Sequence, residues 1–262
     1  MNPKHKQSLA ARRIANRGFT LVEIMIAILI GLFLTGGLLT LVQAMKRTSV
    51  TQNGLSQLQD NERMAMTLLT DVIQSAGYFP KPTVNTAASL MPVTGAFTFA
   101  GQSIVGTGNW PDPPPGNSIS VRYVTWGTGS GHNDQTINCT GNTAAVQTLF
   151  TNTFSLAAGT VAGTYDLVCV LNGAAAVHLV SGVKNLQIYY GVQTNPAVSN
   201  NSADTYLDAN TVTAWNKVIS VKVTLTFVNP MYGSLAGQTL SAPQTIAFTR
   251  VVAVMNKTGV TT

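Results

Sequence analysis

Arg17-Gly18-Phe19-Thr20-Leu21-Val22-Glu23-Ile24-Met25 joins a short basic leader to a long apolar run that carries a single carboxylate near its start, and the reading of this junction decides the rest. Residues 24–45 hold no charged side chain. Such a run of 22 residues, at about 1.5 Å each, makes a helix of roughly 33 Å, enough to cross a bilayer core of about 30 Å. The run is therefore expected to be a membrane helix. Upstream, Lys4, Lys6, Arg12, Arg13 and Arg17 are basic and none of the first 18 residues is acidic. The positive-inside tendency then keeps that end in the cytoplasm and puts everything after Lys46 on the other side.

Two simpler readings fit less well. An ordinary secretory signal peptide shares the basic and apolar regions, but this run is too long and no small-x-small cleavage site follows before Lys46 and Arg47. A plain signal anchor explains length and orientation but leaves Glu23 without a reason, because an ionised side chain in a membrane helix is costly and marks function or pairing.

Charge agrees with the leader being an address label. The chain is formally +6, with 15 Lys and Arg against nine Asp and Glu, but five of the basic groups lie in residues 1–18 and all nine acidic groups after them. Residues 19–262 thus carry ten basic and nine acidic groups, or +1. Nucleic-acid binding would want basic residues clustered on one folded face. Arg63, Arg122, Lys184 and Lys222 are instead scattered and read as solvated surface positions.

Past the membrane run the helix is expected to continue. Leu58, Ala65, Leu68, Leu69, Val72, Ile73 and Ala76 recur at three- and four-residue spacing, while Asp60, Glu62, Arg63 and Asp71 occupy other faces. Gly77, followed by Tyr78, Phe79 and Pro80, supplies the stop, giving a helix over about residues 19–76. Gly36, Gly37 and Gly54 each lose about 1 kcal/mol of helix preference relative to alanine. Gly31, Gly36 and Gly37 read equally well as packing points in lipid or as tolerated glycines.

Residues 80–118 are rich in Pro, Gly, Thr and Asn and read as loops with one short strand near 96–100. From Ile119 the period becomes two. Ile119, Val121 and Tyr123 alternate with more polar neighbours, as do Ile219, Val221, Val223, Leu225 and Phe227. Further strands are expected at 165–171, 175–179, 183–190 and 245–254, with an exposed loop at 195–210. The fold class is α+β, a long N-terminal helix packed on a C-terminal antiparallel β-sheet domain. Its organisation is leader 1–18, membrane and assembly helix 19–45, amphipathic helix 46–77, loops 78–118 and β-rich domain 119–262.

Cys139 and Cys169 both fall beyond the membrane, where an oxidising compartment favours a disulfide closing a loop of about 30 residues. Catalytic chemistry finds little support. His5 is in the leader, and His132 and His178 stand far apart without a Cys or Glu at metal-ligand spacing. There is no phosphate-binding loop or nucleophile elbow. Gly131-His132-Asn133-Asp134 reads as a turn, and so does the stretch around Trp110 and Asp112. No cofactor, metal or enzyme activity is expected. Trp110, Trp126 and Trp215 would stack on a ligand if exposed, but strand-core packing is the simpler account of Trp126 and Trp215.

The junction quoted above resembles the N-terminus of the type IV prepilin class, which includes pilins and type II secretion pseudopilins. The resemblance implies cleavage by a prepilin peptidase after Gly18 and methylation of the new N-terminal residue, Phe19. It also implies that Glu23, fifth after the cut, meets the N-terminal amine of a neighbouring subunit during assembly. Within the class the chain most resembles PilW-type minor pilins. The later features that carry this are Asp71-Val72-Ile73-Gln74-Ser75-Ala76-Gly77-Tyr78, the large β domain and the strand entered through Trp215-Asn216-Lys217-Val218. The implied role is a minor pilin that primes pilus assembly and sits in a tip complex. Implied partners are other minor pilins, the major pilin, the inner-membrane assembly platform and a tip adhesin. Implied locations are the inner membrane first and the cell-surface pilus afterwards. The nearest rival is a GspJ-like pseudopilin of a type II secretion system, and a third reading is an adhesive subunit whose β domain binds a ligand.

Overall fold

The structure is a computed structural model that describes residues 18–108, 117–129, 136–195, 202–232 and 243–255. The chain divides into two units, Met1–Val50 and Thr51–Thr262. Helix α1, Leu21–Gln74, contributes residues 21–50 to the first and 51–74 to the second.

In the first unit every described side chain is exposed, and the most apolar 18-residue window of α1 has a mean hydropathy of 2.5 with none of it buried. The helix is long and apolar enough to cross a membrane. Its hydroxyls need no outside partner. Thr35 Oγ1 donates to the Gly31 carbonyl at 2.7 Å and Thr40 Oγ1 to the Gly37 carbonyl at 2.7 Å. Polar groups satisfied within the helix are tolerable in lipid.

In the second unit, residues 51–74 of α1 lay Leu58, Ala65, Met66, Leu69, Val72 and Ile73 against the sheet. The stripe is rotated slightly from the sequence expectation. Met66 is buried, whereas Leu68 is only partly covered. Regular helix ends at Gln74 and a turn carries the chain to Gly77, whose φ of 76° is the left-handed conformation that glycine adopts without strain. The Gly77 N–H then donates to the Arg122 carbonyl at 3.0 Å, so the chain leaves the helix directly onto a strand.

Among the described residues a short helix, Ala87–Leu90, is followed by one antiparallel sheet of eight strands: β1 Ile104–Thr107, β2 Ser118–Thr125, β3 Thr148–Ala158, β4 Tyr165–Leu171, β5 Val177–Val192, β6 Thr205–Leu207, β7 Val218–Val228 and β8 Thr245–Ala253. Neighbours run β1-β2-β3-β4-β5-β7-β8, with β6 paired to β5. This is the α+β arrangement expected from the sequence. Strand β5 explains the topology. Val183 pairs with Tyr165 of β4 and Phe227 of β7, while Tyr190 pairs with Leu207 of β6 and Val221 of β7. Strands β4 and β6 therefore share one edge of β5 in succession, and β7 holds the other.

Four sequence expectations need correction. The strand expected near 96–100 is only an isolated bridge, Thr94 to Phe97, and the regular strand of that region is β1. Segments 175–179 and 183–190 are one strand. Gly182, at φ 79°, lies between Val180 and Val183, where β5 shifts register against β4, and forms a bulge instead of ending the strand. The loop expected at 195–210 contains β6. Finally, β3 was not expected at all. Its inward residues are Phe150, Asn152, Phe154 and Leu156, and the buried asparagine breaks the apolar alternation.

The core lies between α1 and the inward face of the sheet. Val121 and Tyr123 of β2, Leu167 of β4, Leu186 and Tyr190 of β5, and Val221 and Leu225 of β7 are all buried there. Tyr190 meets Trp215, in the 3-10 turn Trp215–Lys217, edge to face at 4.8 Å. Burial holds the Tyr190 hydroxyl well above its ordinary pKa.

Candidate assembly site

Gly18, Phe19 and Thr20 precede the helix in non-helical backbone, and all three are exposed. Thr20 is the N-cap. Its carbonyl accepts the Glu23 N–H at 3.1 Å and the Ile24 N–H at 3.2 Å, while its hydroxyl oxygen accepts the Glu23 N–H at 3.3 Å. Thr20-x-x-Glu23 is thus one half of a capping box, with Glu23 in the first turn where the helix dipole favours a carboxylate. This cap was legible in the sequence as a threonine three residues before a glutamate. Glu23 therefore has an intrahelical reason for its position as well as the one the resemblance implies.

Cys139 and Cys169 are joined by a disulfide with a Cα–Cα distance of 6.2 Å, as the sequence led us to expect. Cys169 faces the core from β4. Cys139 lies in the loop before β3, which two polar side chains also hold: Asn152 Oδ1 accepts the Cys139 N–H at 2.8 Å, and the Tyr123 hydroxyl donates to the Ile137 carbonyl. Burial outweighs the hydrogen bond with Asn152 and keeps the Tyr123 hydroxyl protonated well beyond its ordinary range.

Arg122 is not a solvated surface residue. It is 1 % exposed on the sheet face opposite Val121 and Tyr123, and the chain between 91 and 102 folds over it. Its Nη1 donates to the Pro92 carbonyl at 2.6 Å, one Nη2 bond reaches the Met91 carbonyl at 3.2 Å, and Nε donates to the Gln102 carbonyl. The guanidinium also stacks 4.1 Å from the centre of the Phe97 ring. Among the described residues no carboxylate pairs with it. Burial lowers its pKa, and carbonyl dipoles offset that penalty. The stretch 91–102 reads as loop by composition, yet this one side chain ties it together.

The remaining charged groups are dispersed. Lys222 Nζ lies 4.9 Å from the Tyr189 ring centre and 5.2 Å from that of Tyr206. Lys81 covers Trp126 at 4.6 Å, so Trp126 and Trp215 both have partners within the fold. His178 Nδ1 and Asp166 Oδ2 are 2.8 Å apart across β4 and β5. Among the described residues no hydroxyl or thiol joins them, and no group of three metal-ligating side chains occurs. Trp110, Asp112 and the stretch Gly131-His132-Asn133-Asp134 lie outside the described residues.

Residues 153–247 match the family model described as Type IV Pilus-assembly protein W, and residues 13–39 match the Prokaryotic N-terminal methylation motif. The first match runs from β3 into β8 and includes the strand entered through Trp215; the second brackets Gly18, Phe19, Thr20 and Glu23. Neither curated proteins nor solved structures return a match. The first match agrees with the resemblance to PilW-type minor pilins over residues 153–247, and the second with the wider prepilin class at the N-terminus. The two matches support a minor pilin of type IV pili, membrane-anchored and associated with other pilus components.

Proposed function

We propose that this minor pilin is cut after Gly18, methylated on Phe19, and then primes pilus assembly from a position in the tip complex. The observation that carries the reading is the junction itself. Gly18 stands in exposed, non-helical backbone, followed at once by a capped apolar helix with one acid at its third position. A peptidase needs an accessible extended chain, and a fibre subunit needs an apolar helix that neighbours can cover once it leaves the lipid. In the same reading the leader faces the cytoplasm and the β domain the periplasm.

Glu23 is assigned the pairing role. Cleavage creates a positive amine at Phe19, and a buried charge is tolerable when paired and expensive when alone. A neighbouring subunit whose amine meets this carboxylate satisfies both charges in one axial register.

The capping geometry sharpens the test. Glu23→Gln keeps the backbone N–H that Thr20 caps and nearly the same side-chain shape, but removes the charge. Expected in membranes are normal insertion and normal release of residues 1–18, checked by N-terminal sequencing, with loss of incorporation into pili. Thr20→Ala removes the cap but not the charge, and is expected to incorporate. If Glu23→Gln incorporates normally while Thr20→Ala does not, the carboxylate acts only within its own helix and the pairing role falls.

A further inference from the structure

In the second unit a groove of about 430 Å³ runs between α1 and the loop that carries Cys139. Met64, Leu68, Ile137 and Leu179 give it apolar walls, and Met64 is 54 % exposed although it lies on the helix that supplies the core. Asp60 and Asp71 are the first and last of the α1 residues that line it, and Arg63 follows Asp60 by less than one helical turn. Among the described residues no ion pair engages any of the three. Eleven helical residues separate the two aspartates, a rise of about 16 Å.

The far wall is unusually well fixed for a loop. The disulfide ties Cys139 to β4, Asn152 holds the Cys139 N–H, and Tyr123 holds the Ile137 carbonyl. Pre-ordering one wall lowers the entropy lost when something binds. An apolar groove that is fixed on one side, and whose helical wall begins and ends on carboxylates with no ion-pair partner among the described residues, matches a definite chemistry. It fits an apolar stretch with basic residues about 16 Å apart.

We infer that this groove is the docking site for a segment of another pilus subunit, apolar in its middle and carrying Lys or Arg at both ends. The inference rests on the pilus reading above and adds to it which surface the partner occupies. Asp60 and Asp71 set the register along the groove, and Met64 and Leu68 supply the contact area.

The test uses the full-length chain in its own membranes. A photocrosslinking residue replaces Met64 in the groove or, as a control, the exposed Thr249 of β8. The expected result is a Met64-dependent adduct whose partner peptide, identified by mass spectrometry, comes from a processed pilus subunit and contains basic residues. The double variant Asp60→Lys, Asp71→Lys is expected to lower the yield about tenfold, the order expected when two attractive exposed pairs turn repulsive. Wild-type yield should fall with added salt as charges are screened. Thr67→Trp blocks the groove without changing its charge and should give a similar loss, so a misfolded lysine variant would not spare the inference. An adduct to a second copy of this chain or to lipid alone overturns it, as does equal yield from Met64 and Thr249 or an unchanged yield in both variants. If wild-type chain recovers processed subunits but the groove variants do so equally well, only the groove assignment fails. If wild type recovers none, the pilus reading fails and takes the groove with it.

Discussion

Arg122→Ala should be among the most damaging single substitutions in the second unit, although sequence alone makes Arg122 look like an ordinary surface charge. Three main-chain carbonyls, of Gln102, Pro92 and Met91, lose a charged donor in the variant. The contact to the Phe99 carbonyl at 3.5 Å is too long to count. Water entering the vacated space will re-solvate part of what is lost, so about 1 kcal/mol per carbonyl is a fair figure, with about 1 kcal/mol more for the stacking on Phe97. The sum is about 4 kcal/mol, which for a domain of this size lowers Tm by roughly 10 °C. Arg122→Lys keeps the charge but not the planar fork, and is expected to recover less than half. The assay is urea and thermal unfolding of the detergent-solubilised chain followed by near-ultraviolet circular dichroism. Amide exchange should report earlier opening at residues 91–103 than in α1. A solvated surface arginine would shift stability by no more than about 0.5 kcal/mol. A loss below about 1 kcal/mol for Arg122→Ala, or wild-type stability for Arg122→Lys, would refute the claim that one guanidinium holds this segment together.

Gly54→Ala should destabilise although alanine is the better helix former: a Cβ at position 54 would lie 2.9 Å from Pro230 Cβ, so overpacking of about 1–3 kcal/mol exceeds a propensity gain of about 1 kcal/mol. A higher Tm for that variant would show that the Pro230 loop yields freely. Replacing both Cys139 and Cys169 by serine should cost about 3 kcal/mol in unfolding, and free-thiol mass labelling of the unreduced wild type should find neither cysteine reactive. The Asp204 carboxylate accepts the Asn195 N–H at 2.9 Å and the Thr194 N–H at 2.8 Å, and these bonds hold its pKa below the ordinary carboxylate value. A depressed folded pKa means the contribution is present above the unfolded value and disappears as pH falls through the folded one. Asp204→Asn should therefore flatten the acid limb of the stability curve below about pH 4 and leave neutral pH nearly unchanged. An acid limb of wild-type steepness in that variant would show that other carboxylates dominate it.

What could be read in advance follows from the range of the interaction concerned. The apolar run, the Gly77 stop and the alternation at 119–124 and 219–227 depend on neighbours a few residues away, and helix α1 and strands β2 and β7 appear where those patterns lie. The disulfide was legible because only two cysteines exist. Strand β3 was not, because Asn152 occupies an inward position that pattern reading reserves for apolar residues. It is acceptable there only because the Cys139 N–H, 13 residues away, and the Val121 carbonyl, 31 residues away, arrive to satisfy it. Arg122 misled in the same way. Nothing within ten residues of it in the chain supplies a donor's partner, since its carbonyls come from 20 to 31 residues upstream.

By itself the sequence determined the change from basic to apolar residues at 17–25, the membrane-length helix and the α+β class, since charge, apolar length and periodicity are properties of short stretches that survive in any context. Only the tertiary structure decided that β5 runs unbroken through Gly182 with β4 and β6 along one edge, and that Arg122 lies buried. It alone set the fixed wall of the groove beside α1. Those features depend on which distant main-chain groups meet a given side chain, and that is settled when the sheet closes on the helix.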